Sequence, residues 1–199
     1  MIKYNKSIIK KVREKLKKFK KVKDKNKIFQ ELCFCVLVAN ANLEKTLKIW
    51  EKLKDKFLSL DLNFLKEKLK KEGQRFCNKR AEYIVYNRKF LDVIPEKIKE
   101  LDEHELRDWL VKNIKGFGYK EASHFLRNLG FKNFAILDRH ILRFLYKNKI
   151  IKEIPQNLNK KKYLETEDKL RKISKKLKLS LAELDLLIFY LETKKFPEK

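Results

Sequence analysis

Residues that break helices are scarce in this sequence. Glycine occurs at only four of its 199 positions and proline at three, and hardly any segment alternates apolar and polar residues as a half-buried strand does. Apolar residues recur instead at helical spacing, as Ile9, Val12 and Leu16 do in a lysine-rich first segment. Because strand-based folds need frequent turns and period-two patterns, the sequence predicts an all-α protein.

Start and stop signals place several of the predicted helices. Residues 28–39 are apolar almost all round, which predicts a buried central helix. Asp61 is positioned to cap the N-terminus of the helix that follows it, and a long helix is expected over residues 74–90. Ser180 and Glu183 have the spacing of a capping box, which predicts the start of the final helix.

The charge of the chain indicates its partner. It contains 52 Lys and Arg against 27 Asp and Glu, a formal net charge of +25, and such an excess attracts polyanions. Nucleic acid is the expected partner; a membrane surface or a general lysine-rich bias, common in heat-adapted organisms, is the alternative. No apolar run approaches the ~18 residues of a transmembrane helix, and the charged N-terminus has no signal-peptide core. We therefore expect a soluble protein that acts in the cytoplasm, without a membrane.

The three cysteines, Cys33, Cys35 and Cys77, lie in apolar or mixed helical patterns. They form no C-x-x-C pair, and no cysteine and histidine have the spacing of a zinc site. Reduced thiols in an intracellular protein are the expected state, and we expect no metal centre built from these side chains.

The segment from Lys115 to Lys120, KGFGYK, separates two helical patterns over residues 105–114 and 119–129. Its two glycines, Gly116 and Gly118, allow positive φ without a Cβ clash, as a tight turn between helices requires. Backbone N–H groups at the start of the second helix, at the positive end of its dipole, form a site for an anion. In so basic a chain, we expect this hairpin to bind a nucleic-acid phosphate.

Two residues in or after the hairpin sequence have side chains suited to catalysis. Lys120 lies in the first turn of the second helix, where the helix dipole and nearby cations disfavour the ammonium form; a neutral amine is the nucleophile that attacks a sugar C1′ and forms a Schiff base. Asp138, further along, has a carboxylate that can stabilise a cationic sugar and assist proton transfer. A simple phosphate contact or surface position for Lys120, and an ordinary N-cap for Asp138, are the alternatives, although an N-cap is compatible with catalysis.

KGFGYKEA from Lys115 and LDRH from Leu137 together resemble the helix-hairpin-helix-Gly/Pro-Asp superfamily of DNA glycosylases. Within it the sequence is most similar to the short type 2 8-oxoguanine DNA glycosylase/AP lyases of archaea and some thermophilic bacteria. Further supporting stretches extend the resemblance over nearly the whole chain: RF from Arg75 with KRAEYIV from Lys79, ASHFLRN from Ala122 and LSLAELDL from Leu179.

The resemblance implies a two-lobed helix-hairpin-helix glycosylase fold, with the active site in the cleft between the lobes. One lobe would contain residues 1–24 and 138–199. The other would contain residues 25–137, including the helix-hairpin-helix at about 105–130. The partner of this monomeric enzyme would be duplex DNA containing 8-oxoguanine or an abasic site.

The chemistry implied by the resemblance begins with flipping the damaged base out of the duplex. Lys120 would displace the base and form the Schiff base, β-elimination would nick the strand, and Asp138 would be the second catalytic residue. Lys115, Gly116 and Gly118 would grip a phosphate near the lesion. Hairpin carbonyls would hold a monovalent cation, and no other cofactor would be required.

The resemblance also implies a base pocket. Phe76 and Phe189 would flank the extruded base, and the C-terminal lysine, Lys199, would help to recognise the oxidised guanine, although the tail is slightly longer than is usual in the family. Asn40 would fill the gap that the flipped base leaves in the duplex. Core packing is the alternative role for both phenylalanines, and a helix C-cap is the alternative for Asn40.

Features that this sequence lacks narrow the choice among the glycosylase subfamilies that it resembles. No cysteine follows Cys77, whereas relatives that act on oxidised pyrimidines, or on adenine opposite 8-oxoguanine, usually bind an iron–sulfur cluster with four cysteines near the C-terminus. A monofunctional glycosylase for alkylated bases would lack a lysine at the position of Lys120. Two alternatives stay open: the same chemistry on another oxidised base, and a non-catalytic helix-hairpin-helix module that only binds DNA.

Overall fold

The computed structural model describes residues 4–19 and 22–197, and in these ranges all regular structure is helical. The predicted all-α class is confirmed. None of the helices in the described part of the chain is both long and apolar enough to cross a lipid bilayer. The helices are α1 (Lys6–Lys18), α2 (Lys25–Val38), α3 (Leu43–Leu53), α4 (Leu62–Lys71), α5 (Cys77–Asn87), α6 (Val93–Glu100), α7 (Glu103–Asn113), α8 (Tyr119–Asn128), α9 (Arg139–Lys147), α10 (Lys160–Leu177) and α11 (Leu181–Thr193).

The chain forms two compact units. The first contains Met1–Lys21 and Leu126–Lys199, and the second contains Val22–Phe125. The expected lobes divided after residues 24 and 137, so the structure assigns the segment that follows α8 to the first unit rather than the second.

Hydrogen bonds to the C-terminal helices explain where this segment belongs. The Tyr163 hydroxyl of α10 donates to the Ala135 carbonyl at 2.7 Å, and the Ile136 N–H donates to Asp185 Oδ1 of α11 at 2.8 Å. Ala135 and Ile136 are buried, and buried backbone groups need such partners. The sequence of this irregular segment does not show which side chains elsewhere supply them.

In the first unit, α11 packs against α1, α9 and α10. The start of α11 has the predicted capping box, since Glu183 N–H donates to Ser180 Oγ at 3.2 Å and Ser180 N–H donates to Glu183 Oε2 at 2.6 Å. Arg13 of α1 pairs with the same glutamate at 2.7 Å. The residues Leu181 to Ile188 are buried apart from Glu183, so this helix is the core of its unit.

In the second unit, the predicted central helix is confirmed as α2, which is buried from Ile28 to Leu37 apart from Gln30 and packs against α3, α5 and α6. The long helix expected over residues 74–90 is wrong at its start. It begins only at Cys77 because Phe76 adopts a left-handed backbone with φ 56°, which a right-handed helix cannot continue through.

Candidate active site

The hairpin joins α7 to α8 through residues 114–118. Gly116 has φ +90°, and a Cβ there would lie 2.7 Å from the ring of Tyr83, so this position requires glycine. Gly118 does not have positive φ, and the expectation that both glycines permit such a turn is wrong for it. A Cβ on Gly118 would lie 3.3 Å from Glu121 Oε2, an oxygen that accepts the Gly118 N–H at 3.3 Å. This glycine therefore gives a carboxylate room to approach the backbone.

Asn87 fixes the hairpin from α5. Its side-chain Nδ2 donates to the Lys115 carbonyl at 2.9 Å, and its Oδ1 accepts the Lys115 N–H at 2.9 Å, which reproduces the pairing of two peptide groups. The asparagine is fully buried, and it follows Ala81 and Ile84 on the buried face of α5. A polar residue at this spacing on an apolar face was the one available signal, and sequence reasoning missed it.

Lysine side chains cover an aromatic ring beside the hairpin. Lys115 Nζ lies 4.6 Å from the ring centroid of Tyr86, and Lys89 Nζ lies 3.9 Å from the same centroid. The hydrogen bond and the charge of Lys89, together with the charge of Lys115, lower the pKa of the exposed Tyr86 hydroxyl. This exposed cationic surface has the chemistry that binds a nucleic-acid phosphate.

Lys120 is the second residue of α8, and 30% of its side chain is exposed. Its Nζ lies 3.5 Å from Glu121 Oε1. Since the other oxygen of Glu121 accepts the Gly118 N–H, one carboxylate contacts both the expected nucleophile and the expected phosphate-binding backbone. Sequence reasoning assigned no role to Glu121.

Arg80 of α5 closes the C-terminus of α2. Its buried guanidinium donates to the carbonyls of Leu37 and Ala39, which α2 leaves without helical partners. Burial and the charge of Arg75 lower the pKa of Arg80 to about 10, and the charge of Glu121 opposes that change. The guanidinium is therefore protonated at neutral pH, and it lies in the same neighbourhood as Glu121.

The structure brings Asn40 and Phe76 to the guanidinium of one arginine. Arg75 donates to the Asn40 carbonyl at 3.3 Å, and its guanidinium lies 4.6 Å above the Phe76 ring. Phe76 is 59% exposed, so core packing is the wrong interpretation of this residue. Asn40 is also exposed and, with φ 50°, follows the C-cap Ala39 of α2 in the left-handed region. Non-glycine residues with such backbones concentrate at functional sites.

Asp138 is the N-cap of α9, as the alternative interpretation expected. Its Oδ1 accepts the N–H groups of His140 at 2.8 Å and Ile141 at 2.9 Å. The His140 ring packs edge-on against the half-buried Phe189, with their centroids 5.3 Å apart. In the first unit, His140 thus contacts Asp138 through its backbone N–H and Phe189 through its ring. Lys199 lies outside the described residues.

Comparisons with known proteins identify the family. A family model described as 8-oxoguanine DNA glycosylase matches residues 9–179. The 8-oxoguanine DNA glycosylase/AP lyase of Methanocaldococcus jannaschii is 51% identical over 186 residues, which cover 92% of this chain and 89% of the relative. The chain belongs to the 8-oxoguanine DNA glycosylase family. The Thermotoga maritima member is 41% identical over 183 residues, which cover 90% of this chain and 88% of that relative.

A solved structure of another family member agrees along nearly the whole chain. The crystal structure of the Methanocaldococcus jannaschii 8-oxoguanine glycosylase/lyase, in complex with 15mer DNA containing 8-oxoguanine, matches with a TM-score of 0.88 at 49% identity. The match covers 96% of this chain and 92% of that chain. The helix-hairpin-helix glycosylase fold inferred from the motifs is therefore confirmed.

The hairpin carbonyls of the present chain have the chemistry for a monovalent cation. Ile114 O accepts the Phe117 N–H at 3.2 Å, and Gly118 O accepts the Ala122 N–H at 2.9 Å, while Lys115 O accepts from Asn87. Each carbonyl oxygen has a second lone pair that could bind a cation. These oxygens therefore fit the predicted monovalent cation, whose binding stays a prediction. Among the residues that the structure describes, no three His, Cys, Asp or Glu side chains cluster as metal ligands.

Proposed function

We propose that this protein removes 8-oxoguanine from duplex DNA and nicks the resulting abasic site by β-elimination, as a bifunctional base-excision-repair glycosylase. The observation that carries the proposal is the partly exposed Lys120 at the start of α8, in a chain 51% identical to an 8-oxoguanine DNA glycosylase/AP lyase. A module that only binds DNA would use Lys120 for a phosphate contact, and it predicts that replacing Lys120 changes the DNA affinity alone.

In the proposed reaction, the neutral amine of Lys120 attacks C1′ of the damaged nucleotide. The Nζ–C1′ bond forms as the bond between C1′ and N9 of 8-oxoguanine breaks, and the departing base takes up a proton. Ring opening gives the iminium, and β-elimination then removes a C2′ proton and breaks the C3′–O3′ bond. The Asp138 carboxylate stabilises the cationic sugar during base departure.

DNA recognition combines charge with two exposed side chains. The net charge of +25 draws the protein to the duplex, and the hairpin with Lys115 binds a phosphate near the lesion. Phe76 stacks on the extruded base, and Asn40 occupies the gap in the duplex. We propose that the protein acts as a monomer in the cytoplasm, which light scattering and fractionation test.

Borohydride trapping tests the nucleophile. A duplex with a single 8-oxoguanine is incubated with borohydride and the wild type, Lys120→Gln or Lys172→Gln, the last being a control lysine on an exposed face of α10 that pairs with Asp168. We expect a covalent adduct with the wild type and the control but none with Lys120→Gln. An adduct with Lys120→Gln would show that another amine is the nucleophile.

The same experiment separates the alternatives. If the wild type traps on an abasic duplex but not on the 8-oxoguanine duplex, the lyase is correct and the damaged base is another one. If neither duplex is trapped, the non-catalytic DNA-binding module is the better account of the fold.

Asp138→Asn tests the second role with little effect on the fold. Asparagine caps helices as well as aspartate does, so both bonds to α9 are retained while the charge is lost. We expect base release to slow by about 10²- to 10⁴-fold while DNA binding changes little, as measured by single-turnover kinetics and fluorescence anisotropy. Near-normal base release would restrict Asp138 to its capping role.

A further inference from the structure

We propose that Glu121 is the proton acceptor that converts the Lys120 ammonium into the nucleophilic amine. The inference rests on the proposed function, and it adds a third catalytic residue to Lys120 and Asp138. Its basis is the position of the Glu121 carboxylate between the amine and the hairpin backbone.

The two oxygens of Glu121 have different partners. Oε1 lies 3.5 Å from Lys120 Nζ, while Oε2 accepts the Gly118 N–H at 3.3 Å. Only 16% of the Glu121 side chain is exposed. Nucleophile, base and a third group that orients the base form the arrangement by which enzymes activate nucleophiles, and such contacts tighten when the substrate binds.

Gly118 makes this orientation possible. A Cβ at this position would lie 3.3 Å from Oε2, closer than most side chains approach one another, and the carboxylate would have to shift. Because the backbone of Gly118 does not have positive φ, space for Glu121 is the physical reason for glycine here.

The charged groups that face Glu121 are Lys120 on its own helix and Arg80 on α5. Arg80 is held by the carbonyls of Leu37 and Ala39, and its charge interacts with Glu121. A fixed cation in its neighbourhood and the adjacent amine keep the carboxylate charged and close to the proton that it is to receive.

The proton balance of the step is complete. Lys120 transfers one ammonium proton to Glu121, and the amine lone pair then forms the Nζ–C1′ bond while C1′–N9 breaks. The protonated Glu121 returns its proton to the departing base. A second proton moves from Nζ to O4′ as the ring opens, and the third stays on the iminium nitrogen.

The test compares Glu121→Gln with Glu105→Gln. Glutamine retains an oxygen for the Gly118 N–H but cannot accept the proton. Glu105 is the matched control because it occupies the same position in α7, where its Oε2 accepts the Asp102 N–H at 3.3 Å. In the part of the chain that the structure describes, its hydrogen bonds involve no lysine. Base release from an 8-oxoguanine duplex and borohydride trapping on an abasic duplex are measured in single turnovers from pH 6 to 9.5.

At pH 7 we expect Glu121→Gln to slow both base release and trapping by about 10²-fold, with unchanged DNA affinity. The loss of rate should shrink as pH rises, because hydroxide in the solvent then replaces the missing carboxylate as the proton acceptor. The Glu105→Gln control should match the wild type.

Two results would overturn the inference. Equal or faster turnover of Glu121→Gln at pH 7 would mean that the carboxylate only stabilises the ammonium, and a loss that is the same at every pH would mean that it only holds the hairpin. Both differ from failure of the proposed function, in which the wild type itself gives no adduct.

Discussion

Asp185 provides a pH-dependent test of how the Asp138 segment is held. It is only 3% exposed, its Oδ1 accepts the Ile136 N–H at 2.8 Å, and its Oδ2 lies 3.8 Å from Arg127. Burial raises the pKa of Asp185 to about 7; Arg127 and the Ile136 hydrogen bond oppose that change, whereas Asp138 and Glu167 add to it. The carboxyl group is therefore protonated in the folded protein under mildly acidic conditions.

The sign and size of the effect follow from proton linkage. An unfolded aspartate has a pKa of about 3.9, and an increase to about 7 corresponds to about 4 kcal/mol. Because the folded-state pKa is the higher one, this stabilisation is fully present below about pH 4. It declines as pH rises, by at most about 1.4 kcal/mol per pH unit, and is lost above about pH 7.

Urea unfolding of the wild type and Asp185→Asn from pH 4 to 8 measures this contribution of Asp185 to the free energy of unfolding. The asparagine retains an acceptor for Ile136 but does not titrate. Arg127 keeps its hydrogen bonds to Asn128 Oδ1, and its guanidinium stays charged over this range, so it adds only a constant offset. The free energy of unfolding of the wild type should fall by about 4 kcal/mol relative to the variant. Parallel pH curves would refute the reasoning.

Four further substitutions test how the hairpin and its surroundings are built. Gly116→Ala should reduce the free energy of unfolding by about 1–3 kcal/mol because of its positive φ and the Tyr83 ring, and Gly118→Ala by less; equal losses in urea titrations would contradict this distinction. Arg80→Met should cost about 1–3 kcal/mol in the same titrations, since the Ala39 carbonyl loses its donor while the Leu37 carbonyl keeps only Gln74 Nε2 at 3.0 Å. Asn87→Ala should weaken duplex binding about tenfold, or about 1.4 kcal/mol, in fluorescence anisotropy, and unchanged affinity would show that the hairpin holds its shape without Asn87.

The helices were predictable where a local signal marks their ends. Asp61 accepts the Phe64 N–H at 3.0 Å and caps α4 as expected, and Ser180 with Glu183 starts α11. The start of α5 was not predictable, because no residue type near Phe76 indicates that its backbone adopts the left-handed conformation. The boundaries of each unit could not be predicted from the sequence either, since they depend on hydrogen bonds between residues far apart in the chain.

In the candidate site, the residues with a motif around them were predictable and their supports were not. Lys120 and Gly116 stand in a recognisable hairpin sequence. Asn87 and Arg80 bind backbone carbonyls that lie 28 and 43 positions away, and a carbonyl leaves no mark on the sequence. Glu121 was overlooked although it adjoins Lys120, because its importance lies in where its two oxygens point.

The burial of the cysteines gives this protein a built-in labelling site. Cys33 and Cys35 are completely buried, and burial raises the pKa of the Cys33 thiol well above its usual value. Cys77 is partly exposed and directly follows Phe76. A thiol-reactive fluorophore at neutral pH should therefore attach to Cys77 first, and its emission should report DNA arriving beside Phe76 in a chain without any engineered cysteine.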